Sequence, residues 1–402
     1  MSKFAFIVPP LTGHINPTLS VGAELLAMGH EVAWISLDEQ LQTKLPAGGQ
    51  LLVIRYDQAD SEKQANAEYL DIITKKNVYG IESIKFLYEE VLVPLNRYMF
   101  DGMMQILQCW QPDVVINDHQ VFAGGMAAHL LDIPYATSVT APAAVKMMED
   151  LPKIHEWEVK QIIGLQRELG IEGEKSLATS ELLTLVFTSR EFFGEMELPD
   201  HYRFPGPVIA NRVADISFDW AKLKSQTVPK ILISIGTTFN HQFKKDFFTK
   251  VVDAFGGEEI FVVVVSDDTL FETWPSNFLI QQRVPQLELL PHLDGVVCHA
   301  GHNTVSEALS NALPLVVVPI AYDQSHVAGR VVANGCGVRL NFNRFKAPHL
   351  KKAVNDILND PAYRIAAQRI QSSFERAGGT GTAAKWLDQI PVKVFQNVFQ
   401  NG

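Results

Sequence analysis

The chain has 402 residues, with 34 Lys+Arg against 45 Asp+Glu and a formal net charge of -11. Its 47% hydrophobic and 20% charged residues suffice for buried cores, which excludes global disorder, and the length suggests two or three domains. An acidic chain without a basic stripe is not expected to bind nucleic acid or an anionic membrane broadly.

Residues 4–8 form a short apolar run that predicts a strand, and residues 9–16 a loop rich in Pro and Gly. Residues 17–28 carry Leu19, Val21, Leu25, Leu26 and Met28 at helical spacing, and Gly29 suits the position that ends a helix. A second strand follows at 31–36, so the opening reads as a right-handed βαβ unit in a parallel sheet. Residues 81–108 read as a helix with Ile84, Leu87, Tyr88, Val91, Leu92 and Leu95 on one face, interrupted at Pro94. A strand at 113–116, a helix at 121–131 and a strand at 135–139 continue the pattern.

Pro205, Gly206, Pro207 and Pro229 mark a linker region, bounded at 211–228. A second pass then begins, with strands at 231–235, 260–266, 295–298 and 315–318 and helices at 247–254 and 303–311. The expected architecture is α/β: two doubly wound Rossmann-like domains, 1–210 and 229–385, facing each other across a cleft. In such sheets ligands bind beyond the carboxyl ends of the strands, so the loops there should carry the chemistry.

Four such loops stand out. After the first strand, Gly13 allows a tight turn and His14 offers an imidazole that takes a proton near neutral pH. Asp118 follows the strand 113–116, where a carboxylate can orient a neighbouring histidine or simply cap a helix. The third stretch holds Arg283, Val284, Gln286, His292, His299, Gly301, His302, Asn303, Thr304, Glu307, Asp323 and Gln324. A strand there meets a Gly turn and a helix start, whose free N–H groups suit a phosphate. Glu307, one turn beyond Asn303, suits ribose hydroxyls, and Asp323-Gln324 suit a hydroxyl-rich group. Helix capping explains any one of these residues but not the set. The fourth loop, 234–238, supplies Gly236 and the Thr237 and Thr238 hydroxyls.

Other chemistries fail on context. Residues 379–384 match G-x-G-x-x-A but follow a charged helical stretch, not a strand. P-loop, G-x-S-x-G and H-E-x-x-H patterns are absent, and Asp267-Asp268 lacks Asp-x-Asp spacing. Cys109, Cys298 and Cys336 have neither disulfide-framework nor zinc spacing and read as reduced thiols. The first apolar run is too short for a signal peptide, and none approaches the ~20 residues that span a bilayer. A cytoplasmic protein without an integral membrane span is expected.

The third stretch resembles the sugar-nucleotide signature of the family 1 glycosyltransferases, through Pro285-Gln286, His292, His299, Gly301, Asn303, Glu307 and Asp323-Gln324. Gly13-His14 and Asp118 sit where that family keeps its catalytic pair, and 308–314 resembles the bacterial antibiotic branch. The resemblance implies the GT-B fold, the acceptor held mainly by the first domain and the donor by the second, with a 386–402 segment packing back on the first. It implies His14 as general base, Asp118 as its orienting carboxylate and in-line displacement with inversion. It further implies no metal and no cofactor, the nucleotide sugar being a substrate. Arg283 and His302 stand where plant members carry Trp, leaving UDP favoured and TDP possible. Intact Asp323-Gln324 favours a hydroxyl-rich hexose such as glucose.

The acceptor is read from an apolar and aromatic stripe that includes Tyr79, Phe86, Tyr88, Tyr98, Phe100, Met103, Met147 and Met148; it is either core or pocket. Phe86, Tyr88 and Met147 are the candidate acceptor contacts. The expected acceptor is a small apolar hydroxylated natural product, such as a polyketide, flavonoid or macrolide, or a carotenoid, because 6–11 resembles that branch. Two other classes stay open: a sugar-nucleotide epimerase and a non-catalytic glycosyltransferase partner. A monomer or homodimer is expected.

Overall fold

The computed structural model describes residues 1–55, 81–209, 216–236, 241–321 and 323–400. Thr237, Thr238 and Tyr79 lie outside the described residues. The chain forms two compact units. One comprises Met1–Arg190, Glu195–Ala210 and Glu375–Gly402, the other Glu191–Gly194 and Asn211–Phe374.

The first unit holds β1 (Lys3–Ile7), β2 (Glu31–Ser36), β3 (Gln50–Val53), β4 (Val114–Asp118), β5 (Tyr135–Val139), β6 (Thr184–Val186) and β7 (Tyr202–Arg203). They line up as β3-β2-β1-β4-β5-β6-β7, and every pairing is parallel. The second holds β8 (Lys230–Ser234), β9 (Phe261–Val265), β10 (Phe278–Gln281), β11 (Gly295–Cys298), β12 (Leu315–Val317) and β13 (Gly337–Arg339). Their order is β10-β9-β8-β11-β12-β13, again all parallel. Both sheets reverse their winding once, between β1 and β4 and between β8 and β11. Such a reversal leaves an open crevice at the carboxyl ends of the two strands.

Alternation along β1 shows how each sheet acquires two buried faces. Ala5 and Ile7 join Ile35 and Val115 in a core completed by Met99, Met103, Leu107 and Phe122. Phe4 and Phe6 point the other way, into a core with Trp34, Val21 and Leu25. Trp34 is fully buried and satisfies its indole N–H on Thr18 Oγ1 at 3.0 Å. A Cβ on Gly22 would lie 2.3 Å from the Trp34 ring, so only glycine lets this helix approach the sheet.

Several expected boundaries move. The first helix spans Thr12–Ala27, so His14 lies in its first turn and Pro17 inside it, not in a preceding loop. Asp118 is the last residue of β4 rather than part of the loop. The helix expected over 81–108 is Ile81–Phe86, a π-helical stretch Leu87–Leu92 and then Val93–Trp110. Pro94 directly follows the π-helical stretch, inside this continuous run of helical residues. The expected linker ends early: Phe218, Trp220, Leu223 and Val228 already pack on the second unit's core. Return to the first unit begins at Glu375 rather than at 386, through the helix Gly379–Gln400.

Candidate active site

In the first unit, the β1/β4 switch point carries a buried polar cluster. The helix Thr12–Ala27 follows β1 and places His14 at its third position, with its amide bonded to Leu11 O at 3.0 Å. β4 ends on Asp118, whose side chain is fully buried. His14 Nδ1 lies 2.9 Å from Asp118 Oδ1 and 2.8 Å from Thr140 Oγ1. Thr140 also donates to Asp118 Oδ2 at 3.2 Å, and the Gln120 amide donates to Oδ1 at 2.9 Å. His119 Nδ1 stands 3.4 Å from Oδ1, and its ring stacks on that of His14 with centroids 5.3 Å apart and planes 20° from parallel.

Burial alone would raise the Asp118 carboxyl. The fields and hydrogen bonds of His14 and His119 outweigh it and hold the carboxyl well below the usual carboxylate range. An ionised Asp118 accepts only, so it takes a proton-bearing Nδ1 from His14 and leaves Nε2 as the basic nitrogen. His14, Asp118 and His119 also bring one potential ligand atom each within 4.8 Å of one another.

Of the candidate acceptor contacts, Phe86 is 7% exposed and packs in the first core beside Met99 and Phe100, while Tyr88 and Met147 are half-buried. The Tyr88 ring meets Trp157 edge-on at 5.9 Å. Nearby, Glu158 is 3% exposed, its Oε1 makes no hydrogen bond, and burial pushes its carboxyl up. His119, Thr140 and Glu158 were not assigned roles from sequence. His119 had a signal, its adjacency to Asp118. Thr140 had one only once β5 is known to flank β4.

In the second unit the β8/β11 switch point brings together Gly236, His299 and Gly301. His299 follows β11 and packs between two glycines. A Cβ on Gly301 would lie 2.6 Å from His299 Nε2, and one on Gly236 3.1 Å from the ring. Gly236 has φ +80°, which a side chain disfavours. Between His299 and Gly301, Ala300 adopts φ 65°, a left-handed conformation that costs a non-glycine residue roughly 1–2 kcal/mol. Burial pushes the His299 imidazole down to about 4, keeping it neutral near pH 7.

The helix His302–Ser310 starts after Gly301, with Asn303 and Thr304 half-buried in its first turn. His302 is 9% exposed and lies 3.5 Å from Ser306 Oγ. Glu307, 5% exposed, accepts from Gln286 Nε2 at 2.6 Å. Arg283 is exposed and Val284 packs on the second core. Asp323 stands at the position before the helix Gln324–Ala333, and Gln324 Oε1 accepts from the Ile320 and Ala321 amides at 2.8 and 3.0 Å. That bond shapes the loop after β12 from within. Gly13, read from sequence with the donor-binding residues, lies in the first turn of the His14 helix.

Comparison with known proteins fits this geometry. Residues 249–377 match the erythromycin biosynthesis protein CIII-like C-terminal domain. The chain is 30% identical over 395 residues to the NDP-glycosyltransferase YjiC of Bacillus subtilis (strain 168), covering 96% of each. The chain belongs to the family 1 glycosyltransferases. Within that family it is 24% identical to the zeaxanthin glucosyltransferase of Pantoea ananas, over 97% of this chain and 96% of that one. The solved structure of the calicheamicin glycosyltransferase CalG4 superposes with a TM-score of 0.73 at 21% identity, over 98% of this chain and 99% of that one. The glycosyltransferase of kitacinnamycin gives 0.74 at 20%, over 96% and 98%. The fold of this family 1 glycosyltransferase is therefore GT-B. Among the described residues no helix is long and apolar enough to cross a membrane.

Proposed function

We propose that this glycosyltransferase moves a hexose, glucose, from UDP-glucose to a hydroxyl of a small apolar natural product, with inversion and without a metal or cofactor. The carrying observation is the His14–Asp118–Thr140 arrangement, with His14 Nδ1 held at 2.9 and 2.8 Å. His14 Nε2 takes the proton of the acceptor hydroxyl. The freed oxygen pair attacks the anomeric carbon from the face opposite the leaving group. The bond from that carbon to the diphosphate oxygen breaks, and the nucleoside diphosphate leaves with its electron pair. Asp118 stabilises the imidazolium that forms at His14.

Neutral groups meet the charge of the leaving diphosphate on this reading. They are His299, the N–H groups at the start of the helix His302–Ser310, and the Thr237 and Thr238 hydroxyls. Glu307 takes ribose hydroxyls and Asp323-Gln324 take sugar hydroxyls. Tyr88 and Met147, half-buried, contact the acceptor. The similarity to zeaxanthin glucosyltransferase supports a carotenoid as a second acceptor class.

The test is His14→Ala assayed with UDP-glucose and TDP-glucose against a panel of phenolic and apolar alcohols. The expected result is loss of transfer with nucleotide binding retained by calorimetry. Substantial transfer by that variant overturns the base assignment. Consumption of the nucleotide sugar without any acceptor favours an epimerase instead.

A further inference from the structure

We propose that Glu158 is a specificity-determining residue for the acceptor: its buried carboxylate takes a hydrogen bond from a second donor group of the acceptor, a hydroxyl or N–H distinct from the hydroxyl that attacks. The inference rests on the reading of the first unit as the one that holds a small apolar acceptor. It adds that this acceptor carries at least two polar groups.

The helix Pro152–Glu168 turns one stripe inward, and Ile162 and Leu165 on that stripe belong to the first core. Glu158 stands four and seven residues before them, where the stripe calls for an apolar side chain. It is only 3% exposed, and among the described residues its Oε1 makes no hydrogen bond. Its other oxygen faces His155 Nδ1 at 3.7 Å, too far for a hydrogen bond, and that imidazole is 35% exposed. The next buried polar residue of the same helix is treated differently. Gln166 donates to Lys175 O at 3.0 Å and accepts from the Leu177 amide at 2.8 Å, so both ends of its amide serve the fold. An open carboxylate oxygen at the depth of Glu158 costs stability. A donor arriving with the acceptor offsets that cost, which the fold alone does not require.

Its surroundings place Glu158 on the acceptor side. Burial pushes its carboxyl up, and the fields of His155 and His119 oppose that push. His119 directly follows Asp118, the last residue of β4, so the carboxylate lies within electrostatic range of the crevice end of that strand. Burial first, and then the Glu158 charge, push the Tyr88 hydroxyl up as well. Tyr88 stands in the π-helical stretch Leu87–Leu92, a geometry frequent at functional sites, and its ring meets that of Trp157, the neighbour of Glu158, edge-on at 5.9 Å. Glu158 thus belongs with an aromatic pair and with the polar cluster of Asp118. A flat aromatic acceptor suits this wall: the rings pack on its faces, and the carboxylate takes a donor at its edge.

The experiment measures transfer from UDP-glucose to 7-hydroxyflavone and to analogues with one further hydroxyl on either ring system, each against the methyl ether of that further hydroxyl. Formation of the 7-O-glycoside is read for the full chain, for Glu158→Gln and for Glu158→Met. Melting temperatures check that each variant folds. The wild type should favour at least one dihydroxy acceptor over its ether by about tenfold or more in kcat/KM, the scale of a hydrogen bond to a charged group. Glu158→Met should lose that preference through the acceptor KM, with KM for UDP-glucose unchanged, and Glu158→Gln should keep part of it. Both variants should melt at or above the wild type, because the open carboxylate is gone. A wild type indifferent to every added hydroxyl, or a Glu158→Met protein that keeps the preference, overturns the proposal and leaves the acceptor reading intact. Lower melting temperatures with the preference kept assign Glu158 to the fold alone and overturn it too. Transfer by the wild type to none of these phenols overturns the acceptor reading itself.

Discussion

Gln286 Nε2 donates to Glu307 Oε2 at 2.6 Å, joining two residues of the donor signature that stand 21 positions apart. The contact holds a buried carboxylate in one rotamer beside the first turns of the helix His302–Ser310. A carboxylate held this way is pre-set to accept further hydrogen bonds, as the hydroxyls of a ribose would supply. Glu307→Gln keeps the shape and removes the charge. Hydrogen bonds to charged groups contribute roughly 1.5–3 kcal/mol, so KM for UDP-glucose should rise by about tenfold or more. Turnover should change less. Steady-state kinetics over a range of donor concentrations reads both; an unchanged KM removes Glu307 from the nucleotide site.

His299 makes stability depend on pH in a direction that can be worked out. Its folded imidazole protonates only at about 4, against about 6.5 for a free histidine. Between these values the unfolded chain binds more protons than the folded one, so stability falls as pH drops from about 6.5 to 4 and is full above that window. His299→Gln cannot titrate and should lose less stability over that window than the wild type. Urea unfolding at a series of pH values compares the two slopes. Parallel slopes would show that the imidazole is not desolvated in the folded protein.

Much of this was legible in the sequence because parallel sheets write themselves plainly. The run 261–265 is Phe-Val-Val-Val-Val, buried over its first four residues, and needs no partner to be recognised as an interior strand. Strands such as β7, two residues long, and β13, three, carry too little pattern to be seen without their neighbours. Pro17 misplaced the start of the first helix, since proline favours the first turn and here sits deeper. Asp118 and His14 were findable as residue types after strands. Thr140 was not, because its place beside them depends on β5 lying next to β4, with Asp118 opposite Ser138. That is a property of sheet order, which no local signal encodes.

Metal ions offer a separate check on the cluster at the β1/β4 switch point. His14, Asp118 and His119 present two imidazole nitrogens and a carboxylate oxygen, a donor set that Zn2+ and Cu2+ accept. In the proposed reaction the same atoms hold a proton, not a cation. EDTA should therefore leave transfer unchanged, and micromolar Zn2+ should inhibit by occupying the nitrogens. His119→Phe should weaken that inhibition by removing one ligand. Loss of activity with EDTA, restored by added metal, would overturn metal-independent transfer.

The helix Gly379–Gln400 supplies Ala383, Ala384, Leu387 and Ile390 to the core that also holds Phe4, Phe6 and Trp34. Asp388 on the same helix reaches His30 Nε2 at 3.1 Å, so the helix is tied to the first unit by a polar contact as well as by packing. Leu387 is fully buried. Replacing it with alanine improves intrinsic helix propensity, so any loss of stability must come from the emptied core position. That loss should be about 2–5 kcal/mol, or a fall in melting temperature of roughly 2–4 °C per kcal/mol for a unit of this size. Lys385→Ala, on the exposed side of the same helix, should stay within about 0.5 kcal/mol of the wild type. Scanning calorimetry on the three proteins decides the matter. If Leu387→Ala melts with Lys385→Ala, the end of the chain does not close the first core in solution. A fall of the expected size makes that helix part of the first unit's fold, joined to it only after the second unit's sequence has been completed.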